Sequence, residues 1–149
     1  MKKVALIGLC FLFLNNISCA QESESRYYSK NGIVIEGYDP VSYFNNDEPL
    51  VGSKKFRTSF QGQIFLFANI ENRDLFNSNP EKYIPKYGGW CAYAMGVDGS
   101  RVKIDPKTFK IVDGELYLFY NFNFTNTLKK WNENEDELKA KADSFYANF

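Results

Sequence analysis

Apolar and polar residues alternate in short runs along most of this chain, and Asn-Gly, Gln-Gly and Asp-Gly pairs punctuate the alternation. A period of two with turn residues between runs predicts antiparallel hairpins. A first short strand, 33–36, follows the turn at Asn31-Gly32. Strands 55–59 and 63–67 flank Gln61-Gly62, with Phe65 and Phe67 on one face and Phe56 or Phe60 opposite. The clearest hairpin is 108–112 and 115–120 around Asp113-Gly114, because a type I′ turn needs positive φ at both central residues. From Asn69 the period changes. Ile70, Leu75 and Phe76 fall near helical spacing, Asn69 or Glu71 suits the start, and Asn79-Pro80 ends the run. Residues 80–83 extend it by a turn, Pro85 and Gly88-Gly89 break the chain before 90–95, and 96–99 reads as a loop. Beyond Asn123 the chain reads helical to its end, with Leu128, Trp131, Leu138, Ala142 and Phe145 as an apolar stripe. The predicted fold is α+β: small antiparallel hairpins packed by a short helix and a longer C-terminal helix.

The start of the chain follows other rules. Lys2 and Lys3 precede an apolar run over 4–14, and Ser18, Cys19 and Ala20 follow Asn15-Asn16. That order is a signal peptide of bacterial type. Its apolar run of about 11 residues is too short for a membrane span, which needs roughly 20. Small residues at 18 and 20 suit cleavage before Gln21; a lipid anchor on Cys19 is the alternative. The expected organisation is a signal peptide at 1–20, a flexible polar leader at 21–30 and one domain at 31–149. The expected location is periplasmic or extracellular, with a lipoprotein as the alternative.

Removing residues 1–20 takes two lysines and no acid from 18 basic and 18 acidic residues, so the remainder carries a formal charge of −2. Nucleic acid needs clustered positive charge and is not an expected partner. The aromatic fraction is 17%, with 14 Phe and 10 Tyr, which predicts a core built from rings. Histidine is absent. That excludes Ser-His-Asp catalysis and the usual imidazole metal site. Cys91 is the one thiol outside the export segment, so no internal disulfide is expected.

Several segments occur in a telling order: Gly37-Tyr38-Asp39-Pro40-Val41-Ser42-Tyr43-Phe44, then Phe65-Leu66-Phe67-Ala68-Asn69, then Asn72-Arg73-Asp74-Leu75-Phe76 with Asn79-Pro80-Glu81-Lys82-Tyr83, and finally Tyr87-Gly88-Gly89-Trp90-Cys91-Ala92-Tyr93-Ala94. Together they resemble the YHS domain family, and within it the exported stand-alone members, over roughly 37–130. The resemblance implies a compact hairpin-plus-helix unit. Family members attached to copper and heavy-metal transporters are metal-binding, with cysteines at two positions that here hold Ser42 and Ala68.

Two candidate sites follow. Cys91 and Met95 are four apart, so a helix over 90–95 would put a thiolate and a thioether on one face, a soft pair suited to copper; a small buried Cys and a gap-filling Met are the packing alternative. Tyr87, Trp90 and Tyr93, with Tyr38 and Tyr43 and with Asp39 as the acidic group, could instead ring a pocket mouth for an aromatic or planar ligand; rings that cover the core and an Asp39 that only caps a helix are the packing alternative. The leading expectation is an exported, monomeric, non-enzymatic binding module for a soft metal or a small ligand. The alternatives are a redox protein or enzyme using Cys91, and an interaction module with an aromatic surface.

Overall fold

The computed structural model describes residues 25–46 and 48–149. The expected signal peptide at 1–20, with Cys10 and Cys19, lies outside the described residues, as do residues 21–24 of the expected leader. The fold is α+β, as expected.

Two hairpins form where their turn pairs predicted them, and a third forms at Asn31-Gly32, where only a following strand over 33–36 was expected; that strand ends at Val34, because Ile35 and Glu36 have positive φ. β1 (Ser29–Lys30) and β2 (Ile33–Val34) join through Asn31-Gly32; β3 (Ser53–Phe60) and β4 (Gln63–Phe67) join through Gln61-Gly62. β5 (Asp105–Val112) and β6 (Glu115–Phe119) join through Asp113-Gly114. All six turn residues have positive φ, between 49° and 77°. That is the combination in which a two-residue turn matches the twist of its strands. β2 then pairs in parallel with β4 through Ile33 and Ile64, giving a sheet of order β1-β2-β4-β3.

The helices are α1 (Ser42–Asn45), α2 (Ile70–Ser78), α3 (Pro80–Tyr83) and α4 (Ala92–Asp98), then α5 (Thr127–Trp131) and α6 (Glu135–Tyr146). The Asn69 side chain accepts the Asn72 amide N–H at 2.8 Å, so Asn69 is the N-cap of α2. Residues 96–98, read as loop, belong to α4. Gly96 sits inside that helix because a Cβ there would lie 2.5 Å from the Leu138 carbonyl oxygen of α6; the glycine lets the two helices touch.

The C-terminal stretch is not one helix. A fourth hairpin, β7 (Asn121–Phe122) and β8 (Thr125–Asn126), precedes α5, and residues 132–134 interrupt the helical run before α6. Asn126 accepts the Leu128 N–H and starts α5.

The leader also differs from expectation from Ser25 onward. Tyr27 and Tyr28 are buried, and β1 pairs with β2. Tyr28 clips two left-handed turns together. Ile35, Glu36 and Gly37 (φ 52°, 53°, 88°) form one, and Tyr87, Gly88 and Gly89 (φ 55°, 62°, 88°) the other. The Tyr28 N–H donates to the Gly88 carbonyl at 2.9 Å, its hydroxyl donates to Glu36 Oε1 at 2.6 Å, and its ring meets Trp90 edge-on. Left-handed backbone costs an ordinary residue about 1–2 kcal/mol. At Ile35 complete burial of the side chain, worth about 1.5–3 kcal/mol, offsets it.

β6 divides the interior. Its side chains alternate with a period of two. Leu116 and Leu118 enter one core with Phe65, Phe67, Phe76 and Ile104, whereas Tyr117 and Phe119 enter a second with Met95, Trp131 and Ala142. Rings dominate both cores. Phe76 of α2, for example, packs on Phe65 and Phe67 with centroids 4.8 and 5.2 Å apart.

Candidate functional site

The predicted site residues do not converge. Asp39 is fully buried and acts as a tie. Its Oδ1 accepts the N–H groups of Val41 (2.8 Å) and Ser42 (3.3 Å), and its Oδ2 accepts the Ala68 N–H (2.9 Å) and the Asn72 side-chain amide (2.7 Å). One carboxyl thus fastens the 37–44 segment, the end of β4 and Asn72, the third residue of α2. Ser42 and Ala68 belong to the same knot, since Ser42 Oγ also donates to the Asp39 carbonyl and accepts the Leu50 N–H. Tyr43 is equally internal, donating to the Pro106 carbonyl at 2.8 Å. Burial drives its phenol far above the ordinary tyrosine range, so it remains a donor. Trp90 packs between the cores with its ring on Tyr28, and its Nε1 is buried without a hydrogen-bond partner among the described residues.

Cys91 and Met95 are both fully buried, Cys91 in the first core and Met95 in the second. The Cys91 sulfur accepts the Tyr120 N–H at 3.4 Å and shares a hydrogen with Thr127 Oγ1 at 3.4 Å. Among the described residues no group of three His, Cys, Asp or Glu could hold a metal ion. Cys91 precedes the helix as its N-cap, and the two side chains join different cores.

Tyr87 does line a cavity, a cleft of about 670 Å³ between the left-handed turn at 87–89, the strap at 25–28 and α6. One wall is a network of ion pairs. Lys86 Nζ stands 3.1 Å from Glu115 and 3.7 Å from Asp143; Tyr87 donates to Asp143 Oδ1 (3.1 Å) and Tyr117 donates to Glu115 Oε2 (2.8 Å). Burial, then the neighbouring carboxylates, pushes both phenols well above the usual tyrosine range. Burial alone would raise Glu115 too, but hydrogen bonds from Tyr117 and Lys86 and the Lys86 and Lys139 charges outweigh it, holding its carboxyl below the ordinary range.

Arg26 and Glu81 line the same cleft. The Arg26 guanidinium lies 4.7 Å over the Tyr146 ring and gives one N–H to the Phe149 carbonyl. Glu81 has no ion-pair partner among the described residues; its charge faces Tyr27, whose phenol is raised by burial first and then by Tyr146 and Glu81. Gly88 forms the cleft's closest joint: a Cβ there would lie 2.2 Å from the Arg26 carbonyl. Glycine alone lets the strap cross this turn.

Tyr93 lines a different hollow, a pocket of about 280 Å³ with Ala94, Val97, Val102, Tyr120 and Thr127, floored by Cys91. Sequence reasoning therefore found Tyr87 but missed Arg26, Glu81, Lys86, Glu115 and Asp143, which reach one cleft from five separate segments. The signal that could have pointed there was Lys86-Tyr87-Gly88-Gly89, a charged and aromatic pair beside a forced left-handed turn.

Compared with family models, curated proteins and solved structures, the chain matches none. Among the described residues no helix is long and apolar enough to cross a membrane.

Proposed function

We propose that this chain is an exported, non-enzymatic binding module of the YHS type, and that its ligand is a small zwitterion held in the cleft over Tyr87. The observation that carries the reading is the pairing of opposite, incompletely used charges, Arg26 and Glu81, in one tyrosine-walled cleft of about 670 Å³. A ligand ammonium would meet Glu81, and its carboxylate would meet the remaining Arg26 N–H groups. The Tyr87 and Tyr117 phenols stay protonated far above neutral pH, so they serve as donors that fix the floor and not as bases. The YHS likeness is supported by the Asp39 tie, which gives three of its sequence pieces a joint physical reason to occur together. Export is supported by the charged, apolar and small-residue order of residues 1–20.

The test is thermal stabilisation of the mature protein by amino acids and betaines, against singly charged and uncharged analogues of the same size. Ligand that binds only the folded state raises the melting temperature with concentration. Zwitterions are expected to stabilise, and Glu81→Gln and Arg26→Gln are each expected to abolish the effect. Absence of a shift with every zwitterion at 10 mM, or an equal shift with uncharged analogues, would refute the assignment.

A further inference from the structure

Phe124 is the anomaly of the surface. It stands at the tip of the β7–β8 hairpin with its side chain completely exposed, 111% of the reference value, and with φ at 63°. The other three hairpins place glycine at the same turn position. A large aromatic residue is unfavourable there twice over, since Cβ crowds the left-handed backbone and the ring sits in water. Backbone strain of this kind marks places where function competes with stability.

The hairpin that carries the ring grows from the edge of the 280 Å³ pocket. Tyr120, immediately before β7, and Thr127, immediately after β8, both line that pocket, and the Tyr120 and Phe122 rings meet at 5.0 Å. Two strands of two residues reach only about 7 Å beyond this root. The ring, fully exposed, does not enter its own pocket. Apart from Asp98, Ser100 and Thr127 the pocket lining is mostly apolar, and Val97 on it is itself 49% exposed. An apolar knob therefore stands beside an apolar hole on one molecule.

We propose that two copies of this chain associate by reciprocal exchange, the Phe124 ring of each entering the Val97 pocket of the other. A knob next to a hole is self-complementary under a two-fold rotation, which closes the assembly at a dimer. Two exchanged rings, each burying about 150–250 Å², with the pocket walls they cover, fall short of the roughly 1,600 Å² of a standard interface. The dimer is accordingly weak and reversible. A bilayer is the less favoured partner for the tip: it would leave the hole unfilled and set Asp98, on the pocket rim, against anionic headgroups.

Sedimentation velocity from about 5 μM to 1 mM tests this with the mature protein. The sedimentation coefficient is expected to rise with concentration. Phe124→Asn, which suits the left-handed position, and Val97→Arg, which obstructs the hole, are each expected to weaken association at least tenfold while both proteins stay folded. An equimolar mixture of the two variants retains one knob and one matching hole, and is expected to associate more strongly than either alone. A wild-type protein that stays monomeric throughout the range, variants that dimerise like wild type, or co-sedimentation of the monomer with anionic vesicles that Phe124→Asn abolishes, would each overturn the proposal.

Discussion

Replacing Asp39 by alanine probes the most heavily used side chain in the molecule. The substitution strands the N–H groups of Val41 and Ala68 and the Asn72 amide, bonded at 2.7–2.9 Å, and the more distant Ser42 N–H. A buried donor left without a partner costs about 1–3 kcal/mol. Three short bonds therefore amount to roughly 3–9 kcal/mol, a large share of the about 5–15 kcal/mol that holds a domain together. Asp39→Asn separates this account from simple loss of bulk. The asparagine oxygen can still accept from Val41, and Asn72 can rotate its own amide to accept from the new NH₂, leaving only the Ala68 N–H stranded, at about 1–3 kcal/mol. Urea unfolding followed by tryptophan fluorescence is expected to rank wild type above Asp39→Asn and Asp39→Asn above Asp39→Ala, with at least about 2 kcal/mol between the variants. If alanine proves too unstable to purify, the asparagine protein still supplies a measured value. An alanine variant within 1 kcal/mol of wild type would refute the claim that this carboxyl ties three segments.

Gly96→Ala is expected to destabilise by about 1–3 kcal/mol or more, because its Cβ would press into the α6 backbone at Leu138, as chemical denaturation would show. The Cys91 thiol is expected to resist a water-soluble thiol reagent in the folded protein and to react fully in urea; rapid labelling without denaturant would contradict its burial. Glu36, Glu115 and Glu135 are all held below their ordinary value of 4.5, so their contribution to stability is complete above that pH and is lost as the pH falls through their lowered folded values. Denaturant midpoints between pH 7 and pH 3 should therefore hold steady and then decline below about 4.5, and Glu115→Gln should flatten part of that decline.

What could be read from the chain was whatever its neighbours in sequence decide. Asn31-Gly32, Gln61-Gly62 and Asp113-Gly114 announce their turns because the demand for positive φ is satisfied by the pair itself. Asn123-Phe124 makes the same turn with a residue that gives no such signal, so its hairpin was absorbed into a helix. Gly96 looked like a loop because its purpose, room for the Leu138 backbone, comes from a segment more than forty residues away. The candidate site failed for the same reason. Spacing along a helix put Cys91 with Met95, whereas the alternation of Leu116, Tyr117, Leu118 and Phe119 decides which interior each side chain joins. A tyrosine-rich sequence likewise shows that rings will cluster, without showing that Tyr43 and Tyr87 end far apart in role.

The clip made by Tyr28 bears on the order in which this molecule assembles. Its amide needs the Gly88 carbonyl, and its hydroxyl needs Glu36, so it has nothing to hold until both left-handed turns already exist. Residues 25–28 should consequently be late to dock during folding and early to detach in native fluctuations, ahead of the ring-filled interior. Hydrogen exchange would then show the Tyr28 amide opening well below the global free energy, and with each such event the Arg26 side of the cleft would come away.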